Sequence, residues 1–185
     1  WKLKTLLLVM MTTALICGFL HHLVPPTEIN FERLHIFLFN LCSGGTLLVY
    51  FTEGQPALSR RGVTFLALAV AFAFAAFLQW YLAAMLIPLA LAKLVEDVRI
   101  EHFGSRWPRG LFSARERVAR KFHQAALLCL SLGLLFSSPV ILNSVYLKWW
   151  TIEKLKLDTF FLGFSFRISL ISMSVIFSLM QHARI

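Results

Sequence analysis

The sequence predicts an all-α integral membrane protein, a bundle of six transmembrane helices, and three observations predict it. Hydrophobic residues make up 58% of the 185-residue chain. The mean hydropathy is +0.74. The apolar residues fall in blocks long enough to cross a bilayer, and the basic residues gather in the gaps between them. A hydrocarbon core about 30 Å thick takes roughly 20 apolar residues of helix to cross. The expected spans lie at about residues 5–24, 34–51, 63–77, 82–95, 124–146 and 159–180, all within a single membrane domain.

The first block follows Lys2 and Lys4 and has the look of a secretion signal, but no small-x-small cleavage site comes after it. Ala14-Leu15-Ile16-Cys17 is a poor version of a lipoprotein cleavage box, so the block reads as a retained span. The chain begins with Trp1 rather than Met, which fits a piece of a longer gene product. Pro25-Pro26 stops the first helix, because proline has no N–H to continue the ladder. The second block contains Ser43-Gly44-Gly45-Thr46. Such small residues let another backbone or a flat cofactor come close, and simple helix packing is the default use.

Residues 63–95 decide the topology. As one helix they would run about 50 Å at 1.5 Å per residue. Even a tilt of about 40° lets the core absorb only about 39 Å. A hairpin turning near Gln79-Trp80-Tyr81 resolves this, with amphipathic aromatics at the interface. Against it, the turn has no Gly, Pro or Asn. Arg60 and Arg61 precede the segment, and Arg99, Arg106, Arg109, Arg115, Arg117, Arg120 and Lys121 follow it. Both clusters belong on the cytoplasmic side by the positive-inside rule. That requires an even number of crossings and places both termini in the cytoplasm. The alternative is five spans with one long tilted helix. The setting that fits is a prokaryotic inner (cytoplasmic) membrane.

Lys93, Glu96, Asp97, Arg99 and Glu101 read as a solvated, charged helix extension in which Glu96 and Arg99 can pair at helical spacing. Ser113-Ala114-Arg115-Glu116 has the form of a capping box that starts the fifth span's helix. Lys148, Lys154 and Lys156 fall on the outer side, a mild violation, and Trp149-Trp150 makes an interfacial anchor beside Lys148.

Composition narrows function mainly by exclusion. The net charge of +9 sets orientation and meets anionic headgroups, and is not read as nucleic-acid affinity. Cys17, Cys42 and Cys129 lie in apolar blocks without CxxC partners, which argues against a structural zinc, an Fe–S cluster or a covalent c-type haem in this chain. There is no P-loop, no HExxH, no GxSxG and no pair of carboxylates inside a span. A self-contained ATPase, an intramembrane protease and a carboxylate-driven pump are all disfavoured.

The histidines and one arginine are the candidates for chemistry. In the six-span arrangement His21, His22 and His35 sit at the outer ends of the first two helices. His123 and His182 sit at the inner ends of the fifth and sixth, and His102 lies in the inner loop. A non-covalent haem b takes two axial imidazoles from facing helices. His22 with His35, and His123 with His182, are therefore the candidate iron ligands. The plain alternative is that these are helix-end histidines, where the residue caps and tolerates the interface. Arg167 lies about 12 Å inside the last span by helix rise. At a cost of at least about 2.5 kcal/mol it needs a partner: a haem propionate, a quinone oxygen, a lipid phosphate, another subunit or water. Ser165, Ser169 and Ser172 share one face of that helix.

The leading expectation is the membrane-anchor subunit of a multi-subunit electron-transfer complex, binding haem b, a quinone or both. Its partners would be membrane lipids and the other subunits, with no nucleic acid. Alternatives are a cofactor-free structural or assembly subunit, and a small transporter or channel component.

Overall fold

In a computed structural model, which describes residues 2–24, 30–104, 106–113, 116–149, 170, 172–176 and 180, the described residues form helices and turns with no strand among them. The helices in chain order are α1 (Lys2–Leu23), α2 (Phe31–Glu53), α3 (Arg60–Phe77), α4 (Tyr81–Phe103), the single turn α5 (Arg109–Phe112) and α6 (Val118–Leu147). Residues 172–176 are also helical. Four helices, α1, α2, α3 and α6, are long and apolar enough to cross a membrane. α4 is 23 residues long, but Lys93, Glu96, Asp97 and Arg99 charge its second half. Most of the expected sixth span lies outside the described residues.

Residues 63–95 do not form one helix. α3 closes at Phe77 and α4 opens at Tyr81. Gln79 turns the chain with a φ of 59°, and Trp80 N donates to Ala75 O at 2.8 Å. A left-handed residue that is not glycine costs about 1–2 kcal/mol. The turn accepts that cost where the sequence offers no glycine.

Successive helices run antiparallel. His35 of α2 meets Ala14 of α1, and Phe37 and Phe31 of α2 pack on Phe72 and Phe77 of α3. Arg61 of α3 pairs with Glu101 of α4. Glu96 and Met85 of α4 accept from Ser131 and Ser138 of α6. The start of α1, the end of α2, the start of α3, the end of α4 and the start of α6 therefore share one end of the bundle. That end carries most of the basic residues of the described chain.

α2 is the central helix. Over its most apolar window 56% is buried, against 11% in α1, whose buried apolar side chains among the described residues are Met10, Ala14 and Cys17. Between Phe37 and Gly45 the helix widens to a π form. Ser43 Oγ donates to Leu38 O at 2.9 Å, five residues back, matching the π register. Just after it Thr46 is fully buried, and its Oγ1 has no partner among the described residues. The core is completed by Leu41, Leu48 and Val49 of α2, Phe65 and Phe72 of α3, Leu91 and Val95 of α4, and Leu127, Leu130 and Leu134 of α6. In a lipid setting little hydrophobic drive would act between helices, and close packing with interhelical hydrogen bonds would hold such a core. Ser138 illustrates the second kind. It donates to Met85 O at 2.7 Å, one turn before Pro88, which cannot donate within α4. A hydroxyl from a neighbouring helix is a usual remedy at such breaks.

Two local expectations are corrected. The helix of the fifth span does not begin at a Ser113 capping box. Its N-cap is Arg117, α6 starts at Val118, and Glu116 instead pairs with Arg120 at 3.4 Å. Ser113 is used in a turn, its carbonyl accepting from Glu116 N. Nor is the charged extension of α4 wholly solvated. Lys93 and Asp97 are exposed, but Arg99 is only 2% exposed, because its position on α4 faces α6.

Candidate functional site

The polar side chains of the described bundle concentrate at its basic end, where three groups adjoin. The first is the buried charge. Arg99 Nε donates to both carboxylate oxygens of Glu96, at 3.1 and 2.9 Å, and Nη2 reaches Glu96 Oε2 at 2.5 Å. Nη2 also donates to the Arg106 carbonyl at 2.7 Å. Ser131 of α6 donates to Glu96 Oε1 at 2.5 Å. The i,i+3 spacing on α4 puts the two charges on one face, and α6 covers them with a hydroxyl rather than with an apolar residue. A charge this far from water survives only with partners of this kind.

The second group joins three helices. Thr52, in the last turn of α2, is 2% exposed. Its hydroxyl donates to Leu48 O at 2.7 Å. Having spent its one proton there, Thr52 Oγ1 must accept from Nε2 of His123 on α6, 2.7 Å away. His123 is thus fixed with the proton on Nε2 when neutral. Its ring lies 5.9 Å from that of His102 on α4, at 23°. Phe103 meets His123 edge-on at 6.0 Å, and the Arg120 guanidinium stands 5.3 Å over the Phe103 ring. Burial, and secondarily the Arg120 charge, hold His102 below the usual histidine range.

The third group is a cleft of about 540 Å³ lined by Thr52, Glu53, Gln55, Ser59, Arg60, Arg61, Val98, Glu101 and His102. Ser59 caps α3, accepting from Gly62 N at 2.9 Å, and donates to Glu53. Arg61 pairs with Glu101 across the α3–α4 seam. The cleft therefore holds two cations and two carboxylates, of which Arg61 and Glu101 form an ion pair and Glu53 accepts from Ser59.

The candidates named from sequence are distributed otherwise. His35 is half-buried, and its Nδ1 lies 2.6 Å from Ala14 O, a distance at which the ring N–H donates to that carbonyl. It packs where α1 carries Gly18, and a Cβ there would come within 2.9 Å of His35 Nδ1. His22 is exposed, with the ring of His21 5.6 Å away. His21 Nε2 approaches Glu32 at 3.8 Å, while its buried Nδ1 has no partner among the described residues. The structure thus does not bring His22 and His35 together. His123 is brought instead to Thr52 and His102. His182 and Arg167 lie outside the described residues. Of the serines on the last span, Ser174 donates to Ala119 O at 2.7 Å and docks that segment on the first turn of α6. Among the described residues no group of three or more His, Cys, Asp or Glu gathers as a metal site.

Sequence reading passed over Thr52, Ser131 and the burial of Arg99. A weak signal existed for the last. Glu96 and Arg99 form a single i,i+3 pair in a helix whose neighbouring positions Leu91, Ala92, Val95 and Val98 are apolar and buried. Comparison of the chain with protein-family models, with curated proteins and with solved structures finds no match.

Proposed function

We propose that the chain is a membrane-embedded anchor subunit of a larger complex, lying in a prokaryotic cytoplasmic membrane with its basic end inside, and that this basic end is its working surface. The observation that supports it is the contrast between interior and end. Inside the bundle, His35 and Ser138 are matched to partners in the same chain, while the buried Thr46 Oγ1 has none among the described residues. An open polar space, the cleft, lies at the basic end, where a soluble partner would reach. No catalytic motif accompanies it.

The electron-transfer version of this reading gives the chain haem b or a quinone. His35 has one property of an axial ligand, an Nδ1 held by a backbone carbonyl, which orients the ring and leaves Nε2 for a metal. The other property is missing. α1 and α2 touch at Gly18, so a porphyrin does not fit between them there, and His22 is exposed. His22 and His35 therefore do not suit a shared haem. The redox reading rests on His123, His182 and Arg167, and it stands second to a cofactor-free anchor.

Extraction from native membranes in mild detergent tests both. The anchor reading expects the chain to migrate with additional subunits and to show no b-type signal of its own in a dithionite-reduced minus air-oxidised spectrum. A chain that migrates as a lone 21.1 kDa protein sinks the anchor reading. A haem b signal assigned to the purified chain reverses the ranking.

A further inference from the structure

The segment between α4 and α6 crosses the basic end, and two contacts tie it to the bundle. Arg99 donates to the Arg106 carbonyl at 2.7 Å. Gly110 sits so near Gln124 that a Cβ would come within 2.8 Å of its Oε1. Held this closely, the segment could turn its aromatic side chains inward. It does the opposite. Trp107 is 75% exposed and Phe112 87% exposed. Arg106 and Arg117 are exposed beside them, and Arg120 and Lys121 follow in the first turn of α6.

Two outward aromatic rings among cations suit a bilayer surface. Tryptophan prefers the interface. Each cation near an anionic leaflet strengthens attachment roughly fivefold at physiological ionic strength. An acidic soluble protein would meet the cations as well, but it gives no reason for the exposed Trp107 and Phe112. The position also agrees, since α6 runs from this segment directly into its apolar stretch.

We infer that the α4–α6 segment is a docking surface for anionic lipid headgroups, with Trp107 and Phe112 seated in the interface and Arg106 and Arg117 on the phosphates, held at that depth by the buried Glu96–Arg99 pair. The inference rests on the membrane reading above. It adds a lipid class and the residues that select it. Arg99 then acts as a positioning residue: it touches no lipid and sets where Arg106 and Trp107 stand.

The full chain is placed in nanodiscs of phosphatidylcholine, alone or mixed with phosphatidylglycerol, carrying acyl chains brominated near the headgroup. The fluorescence of Trp107 is isolated as wild type minus Trp107→Phe. Bromine quenching of that difference signal is expected in the phosphatidylglycerol discs, with clear loss in high salt or in phosphatidylcholine alone. Arg106→Gln with Arg117→Gln, both at exposed positions, should lower the quenching to the phosphatidylcholine level. Glu96→Leu with Arg99→Met, which removes both buried charges together, should keep the helices by circular dichroism and lose the quenching. A Trp107 signal quenched by aqueous iodide, equally in both kinds of disc, overturns the inference. So does a signal shielded only when polyglutamate is added, which would assign the surface to an acidic protein. A chain that does not enter discs at all fails the membrane reading itself, a result distinct from exposure of Trp107 within a disc.

Discussion

Removing one half of the buried Glu96–Arg99 pair should cost much more than removing both halves. In Glu96→Leu the Arg99 guanidinium, 2% exposed, loses its carboxylate counter-charge while still donating to the Arg106 carbonyl. An uncompensated buried charge of this kind costs about 3–5 kcal/mol. Arg99→Met is milder. The Glu96 side chain is 26% exposed and keeps the Ser131 hydroxyl, so about 2 kcal/mol is expected, near the cost of a hydrogen bond lost to a charged group. The double variant removes both charges and fills the space with apolar atoms. Such replacements are often neutral, and losing the bond to the Arg106 carbonyl adds about 1 kcal/mol. The singles sum to about 6 kcal/mol and the double should cost about 1, a coupling of about 5 kcal/mol. Reversible unfolding in mixed micelles by titration with sodium dodecyl sulfate, followed by far-ultraviolet circular dichroism, measures all four corners of the cycle. If Glu96→Leu costs under about 1 kcal/mol, or if the singles simply add, the pair is solvated after all and the reasoning fails.

Three further outcomes are expected. Gly18→Ala should push His35 off the Ala14 carbonyl and destabilise the α1–α2 seam by about 1–3 kcal/mol; an unchanged unfolding midpoint in the same titration would show that the seam gives way freely. His102 is held below the ordinary histidine range near 6.5, so as pH falls through that value the unfolded chain takes up a proton that the folded chain resists. Stability should therefore decline below about pH 6.5, and His102→Gln should flatten the decline; an equally steep profile in the variant would refute this. In intact cells an impermeant thiol reagent should label Gln79→Cys, whereas Gln55→Cys should react only after the membrane is opened; the reverse pattern inverts the orientation.

The hairpin at residues 78–80 was legible because length forced it: a helix over residues 63–95 is too long for the bilayer. Its exact turn was not legible, because Gln79 adopts a backbone conformation usually reserved for glycine. Charge patterning likewise marked the basic end, and the antiparallel packing gathers those residues there. The site within that end was hidden. Thr52, His102 and His123 are widely separated in sequence and meet only when three helices are packed. The pairing expected of His22 and His35 was drawn from chain connection alone. A short connection does bring their helices together, but neighbouring helices need not turn their histidines toward one another. Side-chain packing decides this, and there His35 packs against Gly18 of α1 while His22 is exposed.

The widened stretch of α2 bears on how this chain can change its length. In an ordinary helix, deleting one residue swings everything beyond it by about 100°. Applied to the later part of α2, that rotation would carry Leu48 and Val49 out of the core and separate Thr52 from His123. Between Phe37 and Gly45 the backbone already holds more residues per turn than an α-helix does. A deletion there can be absorbed by tightening to α geometry, leaving the helix on either side nearly in phase. The central helix thus has a place where a deletion can be absorbed, and it lies upstream of the contact that joins α2 to α6.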